Sequence, residues 1–272
     1  MGRPSLINNR CQAIEIIVKT DKEIAFGSHD HLSPWGTMRD NSRNQNFNNK
    51  LYKLFSGNMS PLAVLDLGCS GGGFVRDCIN DGCLAVGLEG SNYSSIHRRA
   101  EWAVIPEFLF TCDITSDFEV LLKSPDGLKL IDFDVITSWD VLEHIDENDL
   151  AKIADNVRKH LKPGGVFISS ISPNEEIVKG VKLHPTVHPK KWWVRKFREM
   201  GFENQEALVA YFNTQFIRGP KYGAPNSFHL VLNPAGCGKG PAIPKESVLQ
   251  RILDRWIASR PQRLLRKLLI GN

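Results

Sequence analysis

The 272-residue sequence predicts an α/β fold in which a mostly parallel sheet carries helices on both faces. Five short runs predict the sheet: Leu62–Leu67, Cys83–Leu88, Phe108–Cys112, Phe133–Trp139 and Val166–Ile171. They are nearly continuous in apolar residues rather than alternating, as strands covered on both sides are. A helical period separates the last two, with Leu150, Ile153, Ala154, Val157 and Leu161 on one face. A glycine-rich turn, Gly68-Cys69-Ser70-Gly71-Gly72-Gly73, follows the first run at once.

Taken in order, the chain opens with two β-like runs, Ala13–Lys19 and Glu23–Phe26, and then a polar stretch, Ser28–Asn49, rich in His, Asn, Asp and Arg. Residues 1–58 read as an N-terminal extension and acceptor-side lid, in which His29, His31, Trp35, Arg39 and Asn44 offer hydrogen bonds around an aromatic platform. An ordinary solvated loop is the competing reading. Residues 59–235 hold the β-α repeats. The helix from Leu150 stops at Lys162-Pro163-Gly164-Gly165, and a further helix spans Pro189 to Gly201, with proline in its first turn. Asn213–Arg218 and Ser227–Leu232, separated by a Gly/Pro-rich connection, predict a terminal β-hairpin.

Composition bounds the function. Net charge is +4, but the residues from Lys245 onward carry +5, which leaves the body at about −1. A near-neutral body counts against gripping long nucleic acid. The six cysteines include no C-x-x-C pair and read as buried reduced thiols, which points to a reducing, cytoplasmic setting. No secretory or membrane-spanning stretch is evident. Residues 236–272 form a basic amphipathic tail. Leu249, Ile252, Leu253, Trp256 and Ile257, then Leu264, Leu265, Leu268 and Leu269, recur at helical spacing, suited to peripheral contact with a membrane face or to docking on the domain or a second subunit.

The chemistry begins at Val64-Leu65-Asp66-Leu67-Gly68-Cys69-Ser70-Gly71-Gly72-Gly73-Phe74. Strand, glycine turn and helix in succession let the backbone approach a ligand closely. About twenty residues on, the second strand ends in Glu89-Gly90, where a carboxylate can accept from both hydroxyls of an adenosine ribose. The segment resembles motif I of the class I S-adenosylmethionine (SAM)-dependent methyltransferases, D-x-G-x-G-x-G. Asp66, Gly68 and Gly72 match, and Ser70 stands where the middle glycine usually is, which argues against a positive φ there. The resemblance implies a Rossmann-like seven-stranded sheet of order 3-2-1-4-5-7-6 with strand 7 antiparallel. It implies SAM as cofactor, S-adenosylhomocysteine as product, and cofactor contacts from Asp66, Gly68, Cys69, Ser70, Gly72, Phe74, Glu89, Gly90, Asp113, Ile114, Ser138 and Trp139. A nicotinamide oxidoreductase, a hydrolase with Ser70 in a G-x-S-x-G elbow and His229 as its base, and a silent binder are the competing readings.

On the acceptor side, Asp140, Glu143 and His144 share one face of a helical turn. A hydroxyl acceptor must lose its proton, and His144 is the natural base; packing against cofactor is its competing role. Asp140-Val141-Leu142-Glu143-His144-Ile145 is similar to the E-x-x-E-H signature of ubiquinone-pathway O-methyltransferases and small-RNA 3′-terminal 2′-O-methyltransferases. That similarity implies a divalent cation on Asp140, Glu143 and His144, with His188 preferred over His184 as the added imidazole. The expectation is O-methylation of a hydroxylated small molecule or glycan. RNA 3′-end methylation and non-catalytic SAM binding are the alternatives.

Overall fold

The computed structural model describes residues 15–28, 40–57, 61–218, 224–236, 240–257 and 259–270. The strands in chain order are β1 (Glu15–Thr20), β2 (Ala63–Leu67), β3 (Leu84–Glu89), β4 (Leu109–Thr111), β5 (Phe118–Ser124), β6 (Gly127–Leu130), β7 (Phe133–Trp139), β8 (Leu161–Ile171), β9 (Ile177–Val178), β10 (Val181–Lys182), β11 (Phe202–Asn204) and β12 (Phe228–Pro234). Seven form the main sheet in the order β11-β12-β8-β7-β2-β3-β4. The five from β8 to β4 run parallel, and β12 lies antiparallel between β8 and β11. Counted along the chain from the β4 edge, that order is 3-2-1-4-5-7-6.

Alternate residues of each strand feed two cores, one per face of the sheet. Leu65, Leu67, Val86, Ile136 and Phe167 point into the first, which holds Ile153 and Val157 of α3 (Leu150–His160) and Trp193 and Phe197 of α4 (Lys190–Glu199). Val64, Ala85, Val135 and Ile168 point into the second. There they meet Phe47 and Leu51 of α1 (Gln45–Leu54), Phe74 and Cys78 of α2 (Gly73–Asn80), and Leu208 and Phe212 of α5 (Glu206–Phe212). Cys69, Cys78, Cys83 and Cys112 are buried free thiols.

Three expectations change. The strand-four to strand-five helix does end at His160, but the β8 ladder starts at Leu161, paired with Phe133, so Lys162–Gly165 lies inside the strand with an irregular register. Pro163 denies helical backbone to Lys162, and Gly164 turns at φ +79°. Glu23–Phe26 is a bend and turn rather than a strand. Asn213–Arg218 is not the first arm of a hairpin either. The partner of β12 is the three-residue β11, and α5 lies between them. Phe216 and Ile217 fill the second core from irregular backbone beside Phe212 at the end of α5, while Asn213, Thr214 and Gln215 between them are polar.

The sequence reading missed a separate antiparallel sheet, β1-β5-β6. A two-residue turn at Pro125-Asp126 joins β5 and β6, and all six residues of β1 pair with β5. His160 fastens this sheet to α3. Its Nδ1–H donates to Asn156 O at 2.8 Å, which leaves Nε2 to accept from Val120 N at 3.2 Å, and the ring stacks on Phe118. Burial holds that imidazole below its usual pKa, in the neutral form the two bonds require.

Candidate active site

The parallel strands β2, β3 and β7 deliver their carboxyl ends to one edge of the sheet. At the tip of β2, Gly68 N and Cys69 N both donate to Leu88 O of β3, so the glycine turn folds back over the neighbouring strand. Gly68 has φ +73°, and a Cβ there would come within 2.5 Å of Val141 Cγ2. Gly72 has φ +82° and sits against Leu109. Ser70 corrects the expectation: it adopts the left-handed backbone, φ +47°, despite its side chain. Four partners hold it there. Its N–H donates to Glu89 Oε2 (2.8 Å), its hydroxyl donates to Asp40 O (2.9 Å) and accepts from Arg99 (3.0 Å), and its carbonyl accepts from Trp102 Nε1 (2.7 Å).

Glu89 is buried at the tip of β3. Its Oε1 accepts from Ser91 N at 3.1 Å while Oε2 holds Ser70. The carboxylate therefore spans the glycine turn and the loop after β3. Asp66 is also buried, accepts from Thr137 Oγ1 at 2.6 Å, and is pushed up to about 8 by burial against that hydroxyl's opposing effect. Asp66, Gly68, Cys69, Ser70, Phe74 and Trp139 line a small cleft with Asp40, Ser42 and Ile217. Trp139 Nε1 is buried there without a hydrogen-bond partner among the described residues, in a ring packed edge-on against Phe47 and Phe74.

Other predicted cofactor contacts have local work. Asp113 caps its own turn, accepting from Thr115 N and Oγ1. Ile114 is buried, with its carbonyl bonded to Asn156. Ser138 Oγ donates to Ser169 Oγ, and Gly90 packs beside Ala25, whose N–H donates to its carbonyl.

Behind the cleft, Asp140 (φ +52°) accepts from Ser170 Oγ at 2.6 Å and pairs with Arg218 Nε at 3.0 Å. Arg218 also reaches Asp40 at 3.2 Å, so one guanidinium ties the segment before α1 to the end of β7. Asp140, expected to share a cation with Glu143 and His144, is thus held by Ser170 and Arg218 and does not lie in the cluster those two form with His184. Glu143, His144 and His184 do gather: one ligand atom from each lies within 4.8 Å of the others. Glu143 is fully buried. Its Oε1 accepts from Ser172 N at 2.7 Å, its Oε2 has no hydrogen-bond partner among the described residues, and burial pushes the carboxyl up to about 8. His144 and His184 meet edge to face with centroids 4.4 Å apart. His184 Nδ1–H donates to Asn174 O at 2.6 Å, which leaves Nε2 as the lone-pair nitrogen of the neutral ring.

His184, and not the expected His188, is the imidazole that lies beside Glu143 and His144. His188 is stacked on Trp192 at 3.9 Å with Nε2 3.5 Å from Glu147. Thr186 explains the choice: its N–H and hydroxyl bind the carbonyls of Glu143 and Ile145, which pins the loop with His184 inward. His29, His31, Trp35 and Arg39 lie outside the described residues, and Asn44 caps α1 by accepting from Asn46 N. Asp40, Ser42, Arg99, Trp102 and Arg218 carried no motif and were missed; only their fold-back on the glycine turn reveals them.

Comparison with known proteins matches residues 41–218 to a family described as a methyltransferase domain. A mouse small RNA 2′-O-methyltransferase is 31% identical over 153 residues, which is 51% of this chain; the chain spans 36% of that relative's length. Among solved structures, an S-adenosylmethionine-dependent methyltransferase from Clostridium acetobutylicum aligns over 71% of this chain and 93% of its own at 16% identity, TM-score 0.49. The Burkholderia thailandensis 1,6-didemethyltoxoflavin-N1-methyltransferase, bound to that compound and S-adenosylhomocysteine, aligns over 77% and 84% at 15% identity, TM-score 0.48.

Proposed function

This chain belongs to the methyltransferase domain family, and we propose that it moves the methyl group of SAM to a hydroxyl of a sugar or similar polyol, with a divalent cation held by Glu143, His144 and His184. The observation that carries this reading is Glu143: a fully buried carboxyl with one oxygen unpartnered among the described residues, beside two imidazoles. Buried carboxylates are ordinarily paired or coordinate metal. The donor set of two nitrogens and one carboxylate oxygen suits a divalent ion, and the surroundings fit as well. Ser172 N holds the other oxygen of Glu143, and the carbonyl of Asn174 fixes the tautomer of His184, as backbone groups behind metal ligands do.

Methyl transfer is an in-line displacement at a sulfonium, so much of the rate comes from alignment. The cleft beside Asp66, Gly68, Cys69 and Trp139 is the place for the donor in this reading, and Glu89 is the acid that accepts from the ribose hydroxyls. A bound cation would lower the pKa of an acceptor hydroxyl. Where His144 does not hold the ion, its imidazole, in the turn just after β7, is the group that would take the hydroxyl's proton. Asp140, clamped by Arg218 and Ser170, shapes the wall between donor and acceptor.

The test is turnover with a panel of polyols, measured with and without EDTA. Loss in EDTA with recovery on Mg²⁺ or Mn²⁺ is expected, and Glu143→Gln and His184→Ala are each expected to cost roughly 10- to 100-fold in metal affinity or rate. Full activity in EDTA ends the cation reading. A second reading, methylation of the terminal ribose of RNA, draws on the mouse relative. It requires RNA binding that weakens steeply with salt, for which the near-neutral body offers few counter-charges.

A further inference from the structure

The first of two C-terminal helices is fastened to the domain by the wrong side for an ordinary packed helix. In α6 (Val248–Trp256), the residue turned inward is Asp254, 3% exposed, which meets the buried Lys50 of α1 at 2.7 Å. Lys50 also bonds Glu246 at 2.5 Å and donates to Tyr211 O at 2.9 Å. The Asp254 carbonyl, otherwise an orphan of the last helical turn, accepts from Thr214 Oγ1 and Gln215 Nε2. Polar groups thus make the joint.

The apolar face points the other way. Val248, Leu249, Ile252 and Trp256 are exposed by 66, 65, 58 and 45%. On α7 (Arg260–Ile270), Leu264, Leu265, Leu268 and Leu269 are exposed by 62, 49, 77 and 76%. An amphipathic helix normally buries that stripe. Charge says what covers it here. Of nine ionised residues from Lys245 onward, seven are Lys or Arg, and both acids, Glu246 and Asp254, are spent on Lys50. Arg251 and Arg255 fall beside the apolar stripe of α6 by their helical positions and are exposed. Two copies of such a face would set cation against cation. An anionic lipid surface matches both parts: acyl chains for Leu, Ile and Trp, and headgroup charge for the flanking basic side chains.

We propose that α6 and α7 lie flat on an anionic phospholipid surface, with the polar Asp254–Lys50 joint holding the methyltransferase domain on the water side. The inference does not depend on which acceptor the enzyme uses. It is tested by co-sedimentation of the full-length chain with vesicles of phosphatidylglycerol and phosphatidylcholine, against vesicles of phosphatidylcholine alone. Expected are binding to the anionic vesicles, weak binding to the neutral ones, and loss of most binding in about 0.5 M NaCl. The double variants Leu249→Glu/Ile252→Glu and Leu264→Glu/Leu268→Glu are each expected to lower partitioning by at least roughly tenfold. Retained SAM binding, measured by titration calorimetry, shows that these variants are folded. The proposal is overturned if the parent chain stays in the supernatant or if folded variants sediment like the parent. It also falls if the parent is a dimer in lipid-free buffer and the variants are monomers, which would assign the face to a second copy.

Discussion

Asp66 holds its carboxyl at about 8 by burial, against the hydroxyl of Thr137. A carboxyl raised above its unfolded value of roughly 3.9 favours folding while protonated. Its contribution is therefore complete below about pH 4 and is lost as pH climbs through about 8. Asp66→Asn keeps an acceptor for Thr137 and cannot ionise, so its melting temperature is expected to exceed the parent's by several degrees more at pH 9 than at pH 5. Calorimetry at the two pH values checks this, and an equal offset at both rules the ionisation out. Glu89 accepts from two backbone N–H groups at the tip of β3. Glu89→Gln is expected to weaken SAM binding roughly 10- to 100-fold, the worth of a charged hydrogen bond or two, in a calorimetric titration. Ser70 is the third case. Ser70→Ala keeps the left-handed strain and loses the hydroxyl's bonds to Asp40 and Arg99, for an expected cost of about 1–3 kcal/mol in denaturant unfolding. Ser70→Gly relieves the backbone and should lose less.

At the scale of elements, what could be read in advance follows a physical division. The buried parallel strands announce themselves: Phe133–Trp139 is found with the bounds expected, and the helix from Leu150 runs to within a residue of its expected end. Each is fixed by local apolar period and by Gly/Pro punctuation. The glycine turn was legible for the same reason, with Asp66, Gly68 and Glu89 converging as their spacing requires. The hairpin was misread because β11 is only three residues long and owes its pairing to β12, whereas Phe216 and Ile217 of Asn213–Arg218 are apolar for core packing rather than for a strand. The choice of His184 over His188 was equally out of reach. It turns on Thr186 binding two carbonyls across 41 and 43 positions of chain, a contact that no periodicity encodes. The Asp40–Arg218–Asp140 chain of charges is of the same kind. Arg218→Lys cannot pair both carboxylates with one planar group. It is expected to raise KM for SAM or acceptor several-fold with little change in melting temperature, read from steady-state kinetics beside a thermal scan.

The whole molecule joins a seven-stranded sheet, a small antiparallel sheet beside it, and a C-terminal helix pair with its apolar face outward. Among the described residues no helix is long and apolar enough to cross a membrane, so any lipid contact made by α6 and α7 is parallel to the surface. The small sheet has a consequence of its own. β5 is its middle strand, paired on one side by β1 over all six residues from Glu15 to Thr20. Shortening the chain to begin after Thr20 would strip that partner and leave bare those N–H and C=O groups of Phe118–Lys123 that face it, along a segment that includes Val120, Leu121 and Leu122. Such an edge templates its own kind. Trimmed protein is expected to scatter light and form thioflavin-positive material at concentrations where the full chain stays clear, and a lysine in place of Leu122, whose side chain is only partly buried, should suppress it.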